Sequence, residues 1–433
     1  MAQQREELKE LDQSYGAIVK RQFKKNRPAV WSLRILYFIL FIGFTADFIA
    51  NDKPIYCKID GKTYFPIFKE YLVNLGLAKQ APEIMKITDW KTVEFDSVIR
   101  PLIPYSPATT DYSNAQYVSP FEKQSVQSSK FKHRLGTDDI GRDVLSGMIH
   151  GSRIAMLVGV LAMSIASIIG IFLGAIAGYF GDDRLKASRI RIWLNLLFLP
   201  FAFFIAFMAR NNLMMDAFGE SLVSGALQFI WSFVLFGLIM FIPNLLVIPL
   251  KLVPFFRKKI NIPLDIIVNR LIEILRSIPG LLLILAVVAV FDASIILVMI
   301  VIGLLGWTGI ARFIRAELLR VRSLEYMEAA EALGFSTSRI ILRHAIPNSL
   351  TPVLISIAFG IAAAILTEST LSFLGIGVPP DTITWGKLLA KGRVAPEAWW
   401  LAIFPGFAIF ITVTIFNLLG DGLADAIDPR LKQ

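Results

Sequence analysis

Three carboxylates stand close together in the segment GTDDIGRD, which runs from Gly136 to Asp143. Asp138, Asp139 and Asp143 carry the oxygen ligands that Ca²⁺ prefers, but they lack the spacing of an EF-hand loop. Gly136 and Gly141 favour tight turns, because glycine adopts backbone conformations that other residues avoid. We therefore predict a tight structural turn here, and no metal site.

The residues that common hydrolytic mechanisms need are absent or misplaced in this sequence. His133, His150 and His344 do not form the HExxH zinc pattern, and no GxxxxGK[ST] phosphate loop occurs. An intramembrane serine protease needs a buried histidine in a span, and no predicted span has one at its apolar centre. The single cysteine, Cys57, excludes an internal disulfide and a cysteine zinc cluster. The sequence predicts a chain that is not an enzyme, binds no cofactor and does not itself hydrolyse ATP.

An acidic residue, Glu368, lies deep inside a long apolar segment. Glu368 stands beside Ser369 between residues 351 and 375, where a charge in contact with lipid is costly. A translocation path would justify that cost, and a purely structural role is the alternative. We predict that Glu368 and Ser369 contribute to a polar path.

The composition indicates the surroundings in which these residues work. Of 433 residues, 55% are hydrophobic and 18% are charged, against about 25% charged in an average soluble domain. The formal net charge of +10 comes from short basic clusters beside apolar segments, and not from one continuous basic surface. The sequence therefore indicates a membrane protein, and neither a soluble enzyme nor a nucleic-acid-binding protein.

Eight apolar segments are long enough to cross a membrane as helices. They lie near residues 31–50, 152–180, 192–209, 226–250, 266–291, 294–311, 351–375 and 399–420. The fifth contains Arg270, Glu273 and Arg276, and we expect one long helix whose charged start lies at the headgroups. The first has no cleavable signal layout before it and should stay as an anchor.

Counts of lysine and arginine orient these spans. The tail, residues 1–30, and the inner loop, residues 312–350, are rich in basic residues, which predicts that they and both termini are cytoplasmic. Residues 51–151 should then form a small extracytoplasmic subdomain, and residues 152–433 the main transmembrane domain.

The inner loop has the pattern of helix, turn and helix. A helix-forming run from Glu325 should stop at Gly334, since glycine favours the conformation that ends a helix. A second helix over 336–344 should end before Pro347. The residues that would leave a shallow outer surface are Ala329, Ala330 and Gly334. A solvated linker is the alternative interpretation.

The run Glu328-Ala329-Ala330, followed by Gly334 and a segment that closes at Ile346-Pro347, resembles the EAA loop of bacterial ATP-binding-cassette importer permeases. The Arg343-His344 pair resembles the peptide-transporting branch of that family. Residues 133–159, 368–393 and 416–430 resemble the C-type subunits of oligopeptide and dipeptide permeases. Two shorter runs, IANDKP at 49–54 and DGKTYFP at 60–66, resemble the Yej-type branch.

This resemblance implies an all-α polytopic transmembrane bundle with the type I importer permease fold, in a bacterial inner (plasma) membrane. It implies that an ATPase-coupling surface contains Glu328, Ala329, Ala330, Gly334, His344 and Pro347. It also implies an elbow before the second span whose partner contacts are Gly136, Asp138, Gly141, Arg142 and Asp143. The implied partners are a homologous second permease, two cytoplasmic ATPases that use ATP and Mg²⁺, and an extracytoplasmic solute-binding protein. The implied cargo is oligopeptides.

Residues 182–262 depart from the family pattern, because two inserted spans raise the usual six to eight. Packing against membrane lipid or a partner, regulation, and lipid binding are the alternatives for this insertion. For the whole chain, the alternative function is a secondary transporter or channel that needs no ATPase. A secondary transporter or channel of that kind would not need the EAA-like loop, which in the resembled family docks an ATPase.

Overall fold

The computed structural model describes residues 15–74, 77–78, 87, 89–126 and 128–427. Residues 1–14 of the predicted tail and residues 428–433 lie outside this described part. The helices up to residue 257 are α1 (Tyr15–Lys25), α2 (Arg27–Phe44), α3 (Ala46–Ile49), α4 (Pro66–Asn74), α5 (Val144–Phe180), α6 (Arg189–Phe203), α7 (Asn211–Glu220), α8 (Leu222–Leu250) and α9 (Pro254–Arg257). Those that follow are α10 (Leu264–Ser277), α11 (Gly280–Val288), α12 (Ile295–Val321), α13 (Glu325–Ala332), α14 (Thr337–Ile340), α15 (Ile346–Ser349), α16 (Thr351–Phe373), α17 (Trp385–Val394) and α18 (Trp400–Ile427). The strands are β1 (Tyr56–Ile59), β2 (Lys62–Tyr64), β3 (Ser97–Ile99), β4 (Lys186–Ser188) and β5 (Lys259–Asn261).

Among the described residues, seven helical segments are long and apolar enough to cross a membrane, and an eighth crossing results if the bent pair α10–α11 is one span. Their positions follow the predicted spans, although α5 begins at Val144, before the predicted residue 152. The predicted fold class, a polytopic all-α bundle, is confirmed.

The fifth predicted span is not one long helix. α10 and α11 meet at an 80° bend around Ile278 and Pro279. Proline has no N–H for the helical hydrogen-bond ladder, and the residue before it avoids the helical conformation. The charged first half, α10, is exposed at Arg270 and Glu273, which form an ion pair at 2.6 Å.

The described chain divides into two compact units. The first contains the residues up to Asp52, then Pro101–Tyr179 and the residues from Ile267 onward. The second contains Lys53–Arg100 and Phe180–Ile266. The predicted outer segment, 51–151, is therefore divided between them.

In the first unit, α5 packs closely against α12 through small residues. Gly170, Gly174 and Gly178 are spaced four residues apart along α5, so they share one face. A Cβ atom added at these three positions would lie 2.7, 2.6 and 2.8 Å from the nearest atom of α12. This close approach of two backbones, typical of membrane helices, fixes α12, whose end leads into the inner loop.

In the second unit, a small antiparallel sheet has the order β2-β1-β3. Cys57 lies on the central strand and is fully buried, and this burial raises the pKa of its thiol. The unit also holds the inserted hairpin, in which α6 and a π-helical turn, Phe204–Met208, precede α7 and α8. Within this hairpin the Phe207 ring packs on Phe233 at 5.1 Å, and Arg210 donates to Gln228 at 2.6 Å.

Candidate functional site: the EAA-like loop and the elbow

The first helix of the EAA-like loop (residues 325–350) ends where the sequence predicts. α13 ends at Ala332, and Gly334 follows with φ of +77°, a value that other residues rarely adopt. The N–H of Phe335 donates to the carbonyl oxygen of Ala330 at 3.2 Å and closes the turn. The prediction that Gly334 terminates the helix is confirmed.

This loop has an exposed side and a buried side. Glu328, Ala329 and Gly334 are exposed, whereas Ala330 is only 7% exposed. The prediction that Ala330 belongs to the outer surface is therefore wrong, because it lies one turn after the buried Met327 on the inward face of α13. The side chains that anchor the loop in the bundle are those of Met327, Ile340 and Ala345.

The second helix of the loop does not end before Pro347. α14 continues through a π-helical turn, Ile341–Ala345, into α15, and His344 in that turn is half-buried. Pro347 lies in the first turn of α15 and is exposed, a position at which the missing N–H of proline is tolerated. The prediction that the second helix ends before Pro347 is therefore wrong, because the π-helical turn, Ile341–Ala345, continues the helix into α15.

Phe335 joins the two halves of the loop. Its ring stacks on the His344 ring at 6.3 Å, and the Arg339 guanidinium lies 4.6 Å from its centroid. Phe335 is not among the residues that the sequence predicts to belong to this site. Its signal is its place directly after the helix-ending Gly334, where an apolar residue commonly packs back on the turn.

Two hydrogen bonds tie the EAA-like loop and the end of α12 to the end of α5. The Tyr179 hydroxyl donates to Glu331 Oε1 at 3.1 Å, and Arg322 donates to the carbonyl oxygen of Gly178 at 3.3 Å. Tyr179 is buried, whereas Glu331 lies on the exposed helix α13. A displacement of the loop would therefore act directly on α5.

The elbow (residues 133–143) is a compact turn, as its glycines predict. Gly136 and Gly141 have φ of +77° and +81°. A Cβ atom on Gly141 would lie 2.0 Å from the carbonyl oxygen of Asp111, and one on Gly136 would lie 2.7 Å from that of Val118. Only glycine fits at either place, so the role of both residues in the turn is confirmed.

The carboxylates of the elbow bind groups of the protein itself. Asp138 is buried, accepts from the N–H of Arg142 at 2.8 Å, and pairs through its other oxygen with Lys391. Lys391 also pairs with Asp139. Lys391 belongs to α17 and lies 253 residues after Asp138, so these ion pairs join the elbow to a distant helix of the same unit.

Asp143 caps the second span and holds a histidine. Its Oδ1 accepts from the N–H of Ser146 at 2.7 Å in the first turn of α5, and its Oδ2 lies 2.8 Å from His133 Nδ1. The other ring nitrogen of His133 lies 3.3 Å from Asp111 Oδ2, and its ring stacks on Tyr105 at 4.2 Å. His133 is fully buried, so this arrangement fixes the elbow internally.

Glu368 and Ser369 lie inside the bundle, where α16 meets the start of α17. Glu368 is 1% exposed, and the hydroxyls of Ser369, Ser372 and Thr384 hydrogen-bond to its carboxylate. α17 approaches so closely that a Cβ atom on Gly386 would lie 2.4 Å from the carbonyl oxygen of Ser369. The role of Glu368 and Ser369 in a translocation path stays a prediction. The closed polar site favours the alternative, in which the two residues have a purely structural role.

A groove of about 850 Å³ lies between α11, α12 and α16. Its lining is mostly apolar or glycine, and its polar side chains are Ser356, Thr367 and Thr370. Glu368 and Ser369 do not line it, although they neighbour Thr367 and Thr370 in the sequence. The groove therefore offers three hydroxyls and no charge.

Two family models match the chain. Residues 254–433 match the binding-protein-dependent transport system inner membrane component, and residues 14–66 match the N-terminal transmembrane domain of oligopeptide transport permease C.

Relatives of similar length extend this likeness. The peptidoglycan transport system permease protein YejE of Agrobacterium fabrum is 26% identical over 95% of this chain and 92% of its own. The inner membrane ABC transporter permease protein YejE of Escherichia coli is 26% identical over 94% and 95%. The dipeptide transport system permease protein DppC of Alkalihalophilus pseudofirmus is 27% identical over 74% and 80%. With its apolar helices, the chain belongs to the binding-protein-dependent ABC transport permeases and is a multi-pass membrane protein.

Proposed function

We propose that this permease is the membrane subunit of an ATP-driven importer for oligopeptides or peptide-like solutes. The observation that carries the proposal is the EAA-like loop, which has an exposed face around Ala329 and Gly334 above a buried base at Met327. A partner can approach such a small-residue face closely, while the base transmits the partner's movement to the bundle.

The route of that movement follows contacts of named residues. An ATPase subunit docked on the loop would pull on α13. The hydrogen bond from Tyr179 of α5 to Glu331 of α13 would pass this pull on to α5. The glycine face of α5 packs on α12, so the two spans would move as one rigid body. The ATPase subunits, and not this chain, would hold ATP and Mg²⁺.

The remaining partners follow from the family. A homologous second permease would complete the path, and an extracytoplasmic solute-binding protein would meet the elbow side, with both termini in the cytoplasm. The ion pairs of Lys391 with Asp138 and Asp139 would keep that docking side rigid. Two relatives named for dipeptide and peptidoglycan transport support a peptide-like cargo.

A substitution at Gly334 tests the coupling. No atom lies within 4 Å of a Cβ atom built on this residue, so a longer side chain would project from the loop surface without an internal clash. We expect Gly334→Arg to reduce uptake of a labelled tripeptide by at least about tenfold, the equivalent of about 1.4 kcal/mol of lost docking. The measurement is uptake into cells that produce equal amounts of inserted protein.

Gly334→Asn is the matched control, because asparagine tolerates positive φ better than other non-glycine residues. Gly334→Asn should retain most of the uptake. A loss of uptake in Gly334→Arg alone would then come from blocked docking and not from backbone strain at residue 334. Unchanged uptake in Gly334→Arg would contradict the proposal and favour a secondary transporter or channel.

A further inference from the structure

The base of the inserted hairpin carries a surface that the proposed transport function does not use. α6 begins directly after β4, and α8 ends shortly before β5. The two strands pair antiparallel, with Lys186 opposite Asn261 and Ser188 opposite Lys259. Because both spans of the hairpin end beside this ribbon, the ribbon lies where the hairpin leaves the membrane.

The charge at this end of the hairpin is strongly positive. Residues 180–191 and 251–266 contain eight lysines and arginines and three aspartates. Asp182 accepts from the N–H of Ile266 at 3.1 Å, and Asp183 accepts from the Asn261 side chain at 3.4 Å. These two carboxylates therefore bind groups of the protein itself at the base of the hairpin.

Five of the basic side chains form what we call the basic ribbon patch. Its members are Lys186, Lys251, Arg257, Lys258 and Lys259, and all five are exposed. Within the described part of the chain, no ion pair joins any of them to a carboxylate. Their charge is available to an anionic partner.

Large apolar side chains are exposed beside the same patch. Leu252 is 85% exposed, Phe255 64% and Trp193 63%. The Arg189 guanidinium lies over the Phe255 ring at 5.4 Å from its centroid. Exposed apolar side chains next to basic ones are typical of a membrane interface, where the ring enters the acyl boundary and the cation meets phosphates.

We propose that the basic ribbon patch binds the headgroups of anionic phospholipids in the leaflet that it faces. The cations meet the lipid phosphates, and Leu252 and Phe255 contact the adjoining acyl chains. A free phosphate or a nucleic acid would meet the cations but would leave these apolar side chains in water. Anionic lipid is the partner that satisfies both kinds of side chain.

Lipid binding to the purified full-length chain tests this inference. The chain in neutral detergent is titrated with dioleoyl-phosphatidylglycerol or dioleoyl-phosphatidylcholine, and native mass spectrometry measures the bound lipid. We expect the triple variant R257Q/K258Q/K259Q to weaken phosphatidylglycerol binding by at least about tenfold, because each basic residue near the bilayer adds to the attraction. Phosphatidylcholine binding should not change.

Two further variants keep the outcome decisive. R257K/K258R/K259R preserves the charge and should bind phosphatidylglycerol like the wild type. K123Q/K130Q/K132Q removes three exposed charges from a different segment and should also bind normally. Wild-type binding by R257Q/K258Q/K259Q would overturn the proposal. Loss of phosphatidylglycerol in an excess of inorganic phosphate, at matched ionic strength, would also overturn it and indicate a simple anion site.

Discussion

A carboxylate surrounded by hydroxyls, as at Glu368, has its hydrogen-bonding partners inside the protein. Ser369 and Ser372 come from its own helix, and Thr384 caps the first turn of α17. Removing the acceptor would leave three buried hydroxyls without it, which costs more than the net value of the bonds themselves. We therefore expect Glu368 to contribute mainly to the stability of the fold, and less to the selection of cargo.

Replacing Glu368 tests this role. We expect Glu368→Leu to lower the free energy of unfolding by about 1–3 kcal/mol, and Glu368→Gln, which keeps an acceptor, to lower it less. Thermal unfolding of the purified chain in detergent measures the difference. An altered peptide preference in Glu368→Gln, at unchanged stability, would instead place the residue in the translocation path.

Gly141 and Gly61 form a natural pair of test and control, because both have positive φ, at +81° and +77°. They differ in space: a Cβ atom on Gly141 would lie 2.0 Å from the Asp111 carbonyl oxygen, and one on Gly61 would meet nothing within 4 Å. We expect Gly141→Ala to lose more than about 2 kcal/mol of stability and Gly61→Ala to lose about 1 kcal/mol. Equal melting temperatures for the two variants would show that the elbow yields more easily than its contacts indicate.

α17 connects two polar sites of the first unit, namely the Glu368 carboxylate with its hydroxyl partners and the elbow. Its first turn meets Glu368 through Thr384, and Lys391 in its last turn pairs with the elbow. Between them, the Lys387 ammonium donates to the carbonyl oxygen of Thr382 at 2.9 Å. Burial, with repulsion from Arg142 and Lys391, lowers the pKa of Lys387 to about 8.

This lowered pKa gives the helix a pH dependence of known sign. The folded protein releases the proton of Lys387 above about pH 8, whereas the unfolded chain keeps it up to about 10.5. Unfolding therefore takes up a proton in this window, and the contribution of Lys387 to stability rises with pH. We expect the melting temperature of the wild type to rise relative to Lys387→Gln between pH 8 and pH 10. A constant difference between the two proteins would contradict the shift.

The helices show which local signals the sequence carries and which it lacks. Pro279 marks the break between α10 and α11. Mean hydropathy over about 20 residues hardly changes at a single proline, so the sequence predicts one continuous span. Pro347 signals a stop that does not occur, since a π-helical turn, Ile341–Ala345, continues the helix into α15. The Gly334 turn is predictable because one positive φ decides it locally.

Contacts between distant segments are the part of the site that the sequence does not reveal. The pairs of Lys391 with Asp138 and of Tyr179 with Glu331 bring together residues that lie far apart in the chain. The carboxylates of the elbow are visible as a cluster, but their partners appear only once α17 is placed against them. The burial of Ala330 has the same origin, because its helix face is set by the bundle and not by its composition.

The whole molecule combines a bundle of apolar helices with a loop that is exposed on one side and anchored on the other. The family match establishes a transport permease, and under the proposed function the EAA-like loop would couple that permease to an ATPase. A membrane protein that only positions other proteins, or a transporter that works alone, would not need this loop. Stoichiometric assembly with ATPase subunits is the property that distinguishes these functions.

The most direct test is gentle solubilisation of the chain from its native membrane, followed by quantification of the proteins that co-purify. The account predicts that ATPase subunits and a second permease are recovered in stoichiometric amounts with the wild type and with Gly334→Asn. It also predicts that the ATPase is lost from Gly334→Arg while the second permease is retained. Recovery of the wild type alone or only self-associated would contradict ATP-driven transport by this chain.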